Sequence, residues 1–175
     1  MSIRGKAICA AIVILVFTAG IRLTTNQIQS TDNSQTTAEK LLQYQTDYVG
    51  DASKVGNIVS QLDFPSEVTF DHIELDTEAP PYGVTVCLKT DATTGNLLNE
   101  VSNQQPFEKN AIIMFSLIDN VDKVRFGFDD GKDNSFIEFS RQGANESMGR
   151  DVREFSQGKD KLEQLLNSVD QKTKG

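Results

Sequence analysis

Apolar residues crowd the start of the chain. Positions 7–21 read AICAAIVILVFTAGI, a run of 15 without a charge, with Arg4 and Lys6 before it and Arg22 after it. As a helix this run is roughly 23 Å long, against a hydrocarbon core of ~30 Å, and Ile3, Gly5 and Leu23 with snorkelling Arg and Lys extend it. The pattern predicts an N-terminal membrane segment over residues 1–23, read as an uncleaved anchor or a signal peptide. Thr18, Ala19 and Gly20 form only a weak cleavage site, which favours the anchor. The cations ahead of the run hold the N-terminus in the cytoplasm and send the remainder outside; cleavage would release a secreted form. Residues 24–39 are mostly Thr, Gln, Asn and Ser. They have almost nothing to bury, so they predict a polar tether. An extracytoplasmic domain is expected over residues 40–175.

Periodicity changes several times within that domain. Leu41, Leu42 and Tyr44, with Tyr48 and Val49 beyond, suggest a short helix or extended stretch that docks the tether. Val55, Ile58, Val59 and Leu62 recur at helical spacing, with Asp51 placed as N-cap and Pro65 closing the element. Val68 and Phe70 alternate, then the apolar phase passes to Ile73 and Leu75, which predicts a strand with a bulge near His72. Past a turn at 78–81, Val84, Val86 and Leu88 face one way and Thr85, Cys87 and Lys89 the other, so the two strands form a hairpin with one buried face. Residues 91–106 read as loop, with a short helical piece around Leu97, Leu98 and Val101. Residues 107–120 predict a central buried helix. Strands at 121–129 and 135–140 form a second hairpin about the polar turn 129–134. Two helices, around 147–155 and 160–169, end the chain. The order helix, hairpin, helix, hairpin, helix, helix predicts an α+β fold: an antiparallel sheet of about four strands in two hairpins with helices packed on it, plus the N-terminal membrane helix. Residues 51–90 and 107–140 share a helix-then-hairpin pattern, which suggests two similar halves.

Charge narrows the partners. The chain carries 25 acidic and 17 basic residues, net −8, and the first 23 residues hold three of the cations and no acid, leaving net −11 for the rest. Such a surface excludes nucleic acid and is repelled by anionic headgroups, so membrane contact is expected only through residues 7–21. Of the two cysteines, Cys9 would lie in the membrane, so no disulfide joins it to Cys87 in a spanning form. Cys87 reads as a small buried apolar residue.

Catalytic groups are scarce. His72 is the single histidine, which excludes a two-histidine metal site and leaves one base for any triad. Beside a strand irregularity it reads as structural or exposed. No Gly-rich phosphate loop occurs. Asp129, Asp130, Asp133 and Asn134 supply hard oxygen ligands, but Gly131 falls third and Ser140 stands where a calcium loop needs a bidentate Glu. Glu74 and Asp76, two apart on a strand, have α-carbons about 6.6 to 6.8 Å apart, a spacing compatible with glycosidase carboxylates and with any solvent-facing pair. The reading is therefore a non-enzymatic module with no catalytic residue, no metal and no cofactor. Its partner would be an envelope protein or small extracellular ligand. The alternative is a cell-envelope hydrolase using paired carboxylates.

Three stretches carry a resemblance: Tyr48-Val-Gly-Asp-Ala-Ser-Lys-Val-Gly-Asn57, Pro81-Tyr-Gly-Val84 after a Leu-Asp-Thr segment, and Leu117-Ile-Asp-Asn-Val121. Over roughly residues 45–140 the chain resembles an uncharacterised domain family of Gram-positive bacteria, domain-of-unknown-function number four-eight-two-five. Ala52 stands where that family usually has Asn. The resemblance implies a short exported protein with one N-terminal membrane segment, acting as an accessory or sensory module, and it brings no known catalytic residue. Its motif positions of unassigned role are Tyr48, Gly50, Asp51, Lys54, Pro81, Tyr82, Gly83, Asp119 and Asn120. Most of them also have a plain structural reading: Gly50 and Asp51 as a helix start, Pro81 to Gly83 as a hairpin entry, Asp119 and Asn120 as a helix end.

Overall fold

Helical and strand periodicity materialise where apolar faces can be buried together. The structure, a computed structural model, describes residues 35–90, 104–129, 131 and 134–172. The expected membrane segment, residues 24–34 of the tether and the helical piece around Leu97 lie outside the described residues. Among the described residues no helix is long and apolar enough to cross a membrane.

The first helix, α1 (Thr37–Leu42), starts within the last residues of the expected tether. Thr36 and Glu39 make a reciprocal capping box, and Ala38 and Leu41 are buried, so this turn belongs to the fold. Helix α2 (Ala52–Val59) is capped by Asp51, whose carboxylate accepts from the Lys54 amide at 3.1 Å, and buries Val55, Ile58 and Val59. Strands β1 (Thr69–Asp76) and β2 (Gly83–Lys89) pair antiparallel. Their register shifts between Phe70 and His72, which is the bulge that the phase change predicted. Helix α3 (Gln105–Leu117) has Pro106 in its first turn and buries Phe107 and every residue from Asn110 to Leu117. Strands β3 (Lys123–Asp129) and β4 (Asn134–Ser140) form the second hairpin. Helix α4 (Arg141–Met148), a 3-10 turn (Val152–Gln157) and helix α5 (Lys159–Lys172) complete the chain.

The strands lie in the order β1-β2-β3-β4. The outer pairs are antiparallel, but β2 and β3 run parallel. The sheet is thus mixed, and the expectation of a fully antiparallel one is corrected. The cause is the connection: β2 returns to the start of β3 through a long segment that contains α3, and a crossover of that kind delivers parallel strands. The suggested duplication fails for the same reason. Carrying the first hairpin onto the second requires reversing its direction while keeping its place in the sheet, a rotation that would turn its buried face outward. Both hairpins bury the same face.

That face holds Val84, Val86 and Leu88 of β2, Val124, Phe126 and Phe128 of β3, and Ile137 of β4, all buried. Phe107 of α3 packs on Phe126 and Phe128, with ring centroids 5.3 and 5.2 Å apart. Helices α4 and α5 depart from the expected 147–155 and 160–169. The first begins at Arg141, where Ser140 accepts from the Gly143 amide, and stops at Gly149, whose φ of 69° only glycine adopts freely. Among the described residues, every helix that contacts the sheet does so on the buried face, and none of them covers the opposite one.

Candidate functional site

The open face is built from the alternate residues of the same strands. Cross-strand pairing sets His72 opposite Cys87, Glu74 opposite Thr85, Cys87 opposite Gly127 and Gly127 opposite Phe136. Gly127 has no side chain to project there, so the middle of the face is a trough of about 280 Å³. Phe136, at 58% exposure, stands along one side. The Arg125 guanidinium stacks 4.5 Å from the Phe136 ring centroid and donates to Glu138 at 2.6 Å.

The β1 end of the trough holds the reactive groups. One nitrogen of His72, a carboxylate oxygen of Glu74 and the Cys87 sulfur all lie within 4.8 Å of one another. The bulge turns Asp71 toward the same group: its carboxylate takes a hydrogen bond from His72 Nδ1 at 2.9 Å and an ion pair from Lys89. The Lys89 ammonium, and next the His72 ring, hold the Asp71 carboxyl below its usual range. His72 Nε2 faces Glu74 at 3.7 Å. Cys87 is only half-buried and outside the core, which corrects the reading of it as a buried apolar residue. Burial, then the negative charges of Glu74 and Asp71, push its thiol above the usual range.

The motif positions gather elsewhere, around the ends of the strands where β1 finishes and β2 and β3 begin. The Asn120 side-chain oxygen accepts from the Val49 amide at 2.7 Å, and the Asp119 amide donates to the Thr46 carbonyl at 2.9 Å. Lys54 Nζ donates to the Gln45 carbonyl at 3.0 Å. Gly50 lies against Thr77 just past β1. The Tyr82 carbonyl accepts from both Asp122 and Lys123 amides, and Gly83 pairs with Lys123 and Asp76. Pro81 follows a cis peptide bond. Asp119 also faces Arg153 at 3.5 Å. These contacts lace the 46–54 segment and the start of β2 to the 117–123 segment. Tyr48, 69% exposed, is the large apolar side chain among them that projects outward.

The acids divide likewise. Glu74 and Asp76 share the open face. Asp129 is engaged locally, accepting from the Gly131 amide at 2.8 Å. Asp130, Asp133 and the side chain of Asn134 lie outside the described residues.

The model of a domain of unknown function, DUF4825, matches residues 41–140. The chain belongs to that family. No curated protein and no solved structure matches it. In this DUF4825 chain the matched stretch contains the whole sheet and stops at the last residue of β4, so the trough lies within it. The grouping of His72 with Cys87 was recoverable by counting: a hairpin closed at Asp76 and Gly83 sets residues 72 and 87 opposite one another. Asp71 was not recoverable this way, because its direction depends on the bulge.

Proposed function

We propose that the protein is a membrane-tethered extracytoplasmic binding or accessory module, non-catalytic, whose recognition surface is the open face of the sheet. The observation that carries this reading is the asymmetry of the sheet. Among the described residues, the helices cover one face, while the other exposes a trough with Phe136 and Arg125 beside it. An apolar ring flanked by paired charges is the composition of a binding surface. Support for tethering comes from the basic-flanked apolar run 7–21 and the polar stretch after it. Protease added to intact cells should digest a tag placed after Gly175, and Phe136→Asp should abolish recovery of the partner after in-cell crosslinking. A protected tag, or full recovery with the variant, would contradict the reading.

The competing reading is a cell-envelope hydrolase working through paired carboxylates. It draws on Glu74 at the trough with Asp76 two residues along the same face. Glu74→Gln and Asp76→Asn should leave cell-wall cleavage unchanged if the binding reading holds, and a loss of about tenfold or more would favour the hydrolase.

A further inference from the structure

The reactive end of the trough has a composition that the binding reading leaves unspecified. It brings together three ligand types, an imidazole, a thiol and a carboxylate, contributed by both strands of the first hairpin. We infer that His72, Glu74 and Cys87 form a three-ligand site for a borderline-soft divalent transition-metal ion, zinc foremost, with a fourth position open toward the trough. The inference deepens the proposal that the open face is the recognition surface, since it assigns that face a ligand class.

Geometry comes first. In a tetrahedral zinc site, with bonds near 2.0 to 2.3 Å, ligand atoms lie about 3.3 to 3.6 Å apart. Here they lie within 4.8 Å, so closure needs movements of about an ångström, well within side-chain rotation. The His72 and Glu74 side chains, 54% and 68% exposed, are free to make them.

The surrounding hydrogen bonds select the same outcome. An ionised carboxylate only accepts, so the Asp71 contact places a His72 proton on Nδ1 and leaves Nε2, which faces Glu74, as the ring nitrogen available to a metal. A carboxylate behind a histidine in this way orients the ring and raises its basicity toward a metal. Lys89 holds the carboxylate in place. Nε2 and the Glu74 oxygen are then two acceptors facing one another at 3.7 Å, an arrangement that a cation between them relieves. Among the described residues no side-chain donor is hydrogen-bonded to Glu74. A thiol with an imidazole disfavours calcium and magnesium, which prefer all-oxygen shells.

Loading must displace the thiol proton, so affinity should rise with pH. The charged groups that line the trough with the sulfur are Asp71, His72 and Glu74 from β1, Lys89 from β2, and Arg125 and Asp129 from β3; β4 offers Ser135 and Phe136. The bland alternative is a proton: an imidazolium shared between Asp71 and Glu74.

The test uses the full-length chain in detergent, carrying Cys9→Ala and no polyhistidine tag, titrated with Co²⁺ at neutral pH. Saturation at one equivalent is expected, with a thiolate-to-cobalt charge-transfer band that Zn²⁺ abolishes. Cys87→Ser should remove the band, and Asp71→Asn should weaken binding about 10- to 100-fold. Glu74→Gln alters a largely exposed side chain that the fold does not need; it should keep the band and weaken binding, and so keeps the test decisive if Cys87→Ser fails to fold. Absence of the band in the parent chain overturns the site. So does a band that survives Cys87→Ser, or an affinity unmoved by both Asp71→Asn and Glu74→Gln. The titration needs no partner, so a partner found on another face would fail the recognition reading without touching this result.

Discussion

Arg141 shows how one side chain can hold several segments at once. Its guanidinium is buried, with the residue at 8% exposure, and donates to the carbonyls of Phe115 at 2.7 Å, Ile118 at 2.8 Å and Asp119 at 3.0 Å, and also to Val121. The Phe115 carbonyl belongs to the last turn of α3 and the others to the chain just beyond it, and an arginine there satisfies them and meets the negative end of the helix dipole. Burial, and next the positive charge of Arg153, lower its pKa. Arg141→Met should cost about 3 kcal/mol in urea unfolding, because buried carbonyls lose their donors, and Arg141→Lys should recover only part of it for want of the planar fork. Asn120 acts on the same joint from the other side, and Asn120→Ala should cost about 1 to 2 kcal/mol by removing the acceptor of the Val49 amide. A smaller effect than about 0.3 kcal/mol at either position would deny the joint its role. For Asp119 and Asn120 the motif thus has a structural explanation; Tyr48, exposed and without one, is the motif position left for a partner.

At the scale of elements, α3 and the two central strands decide the architecture. Phe126 lies at their junction, against Phe107 and also near Phe64 and Phe139. Phe126→Ala should cost about 4 kcal/mol, read as a lowered urea midpoint at unchanged slope, since the cavity is enclosed by rigid strands and a helix. Helix α2 and both hairpins were legible in the sequence from one periodic buried face, Val55, Ile58 and Val59 on the helix and Val84, Val86 and Leu88 on a strand, and α3 from an apolar run that is buried all round. The parallel pairing of β2 with β3 was not, because strand alternation looks the same in either direction and the deciding fact is where the crossover lands. The start of α4 was missed although its signals are local, Ser140 as N-cap and Gly149 as stop, because the helix has few apolar residues to show a period. In the trough, His72 and Cys87 each looked ordinary alone; their meaning arises from cross-strand register, and the direction of Asp71 from the bulge.

Across the whole domain, the ends of the described chain are tied together. Glu39 of α1 pairs with Lys159 at the start of α5 at 2.9 Å. The Lys159 ammonium, with the Thr36 amide next, keeps the Glu39 carboxyl below its usual range, and Arg153 does the same for Asp151. Lowered folded values mean that the unfolded chain takes up protons first on acidification. Stability from Glu39, Asp71 and Asp151 is therefore complete above the usual carboxylate range and is lost as pH falls through it toward the lower folded values. Urea midpoints should be flat at mildly acidic pH and fall below the carboxylate range; Lys159→Ala should reduce that fall, and an unchanged profile would remove the pair from the account. The same asymmetry that leaves one sheet face covered and the other open is the basis of the proposed function. The most direct measurement places a photo-crosslinking residue at position 136, on the open face, or at exposed position 167 on α5, in the full chain expressed in its own cells. Crosslinks to a partner from position 136 and none from 167 are the predicted result; crosslinks from 167 with none from 136 would contradict the claim that the uncovered sheet face is where this domain binds.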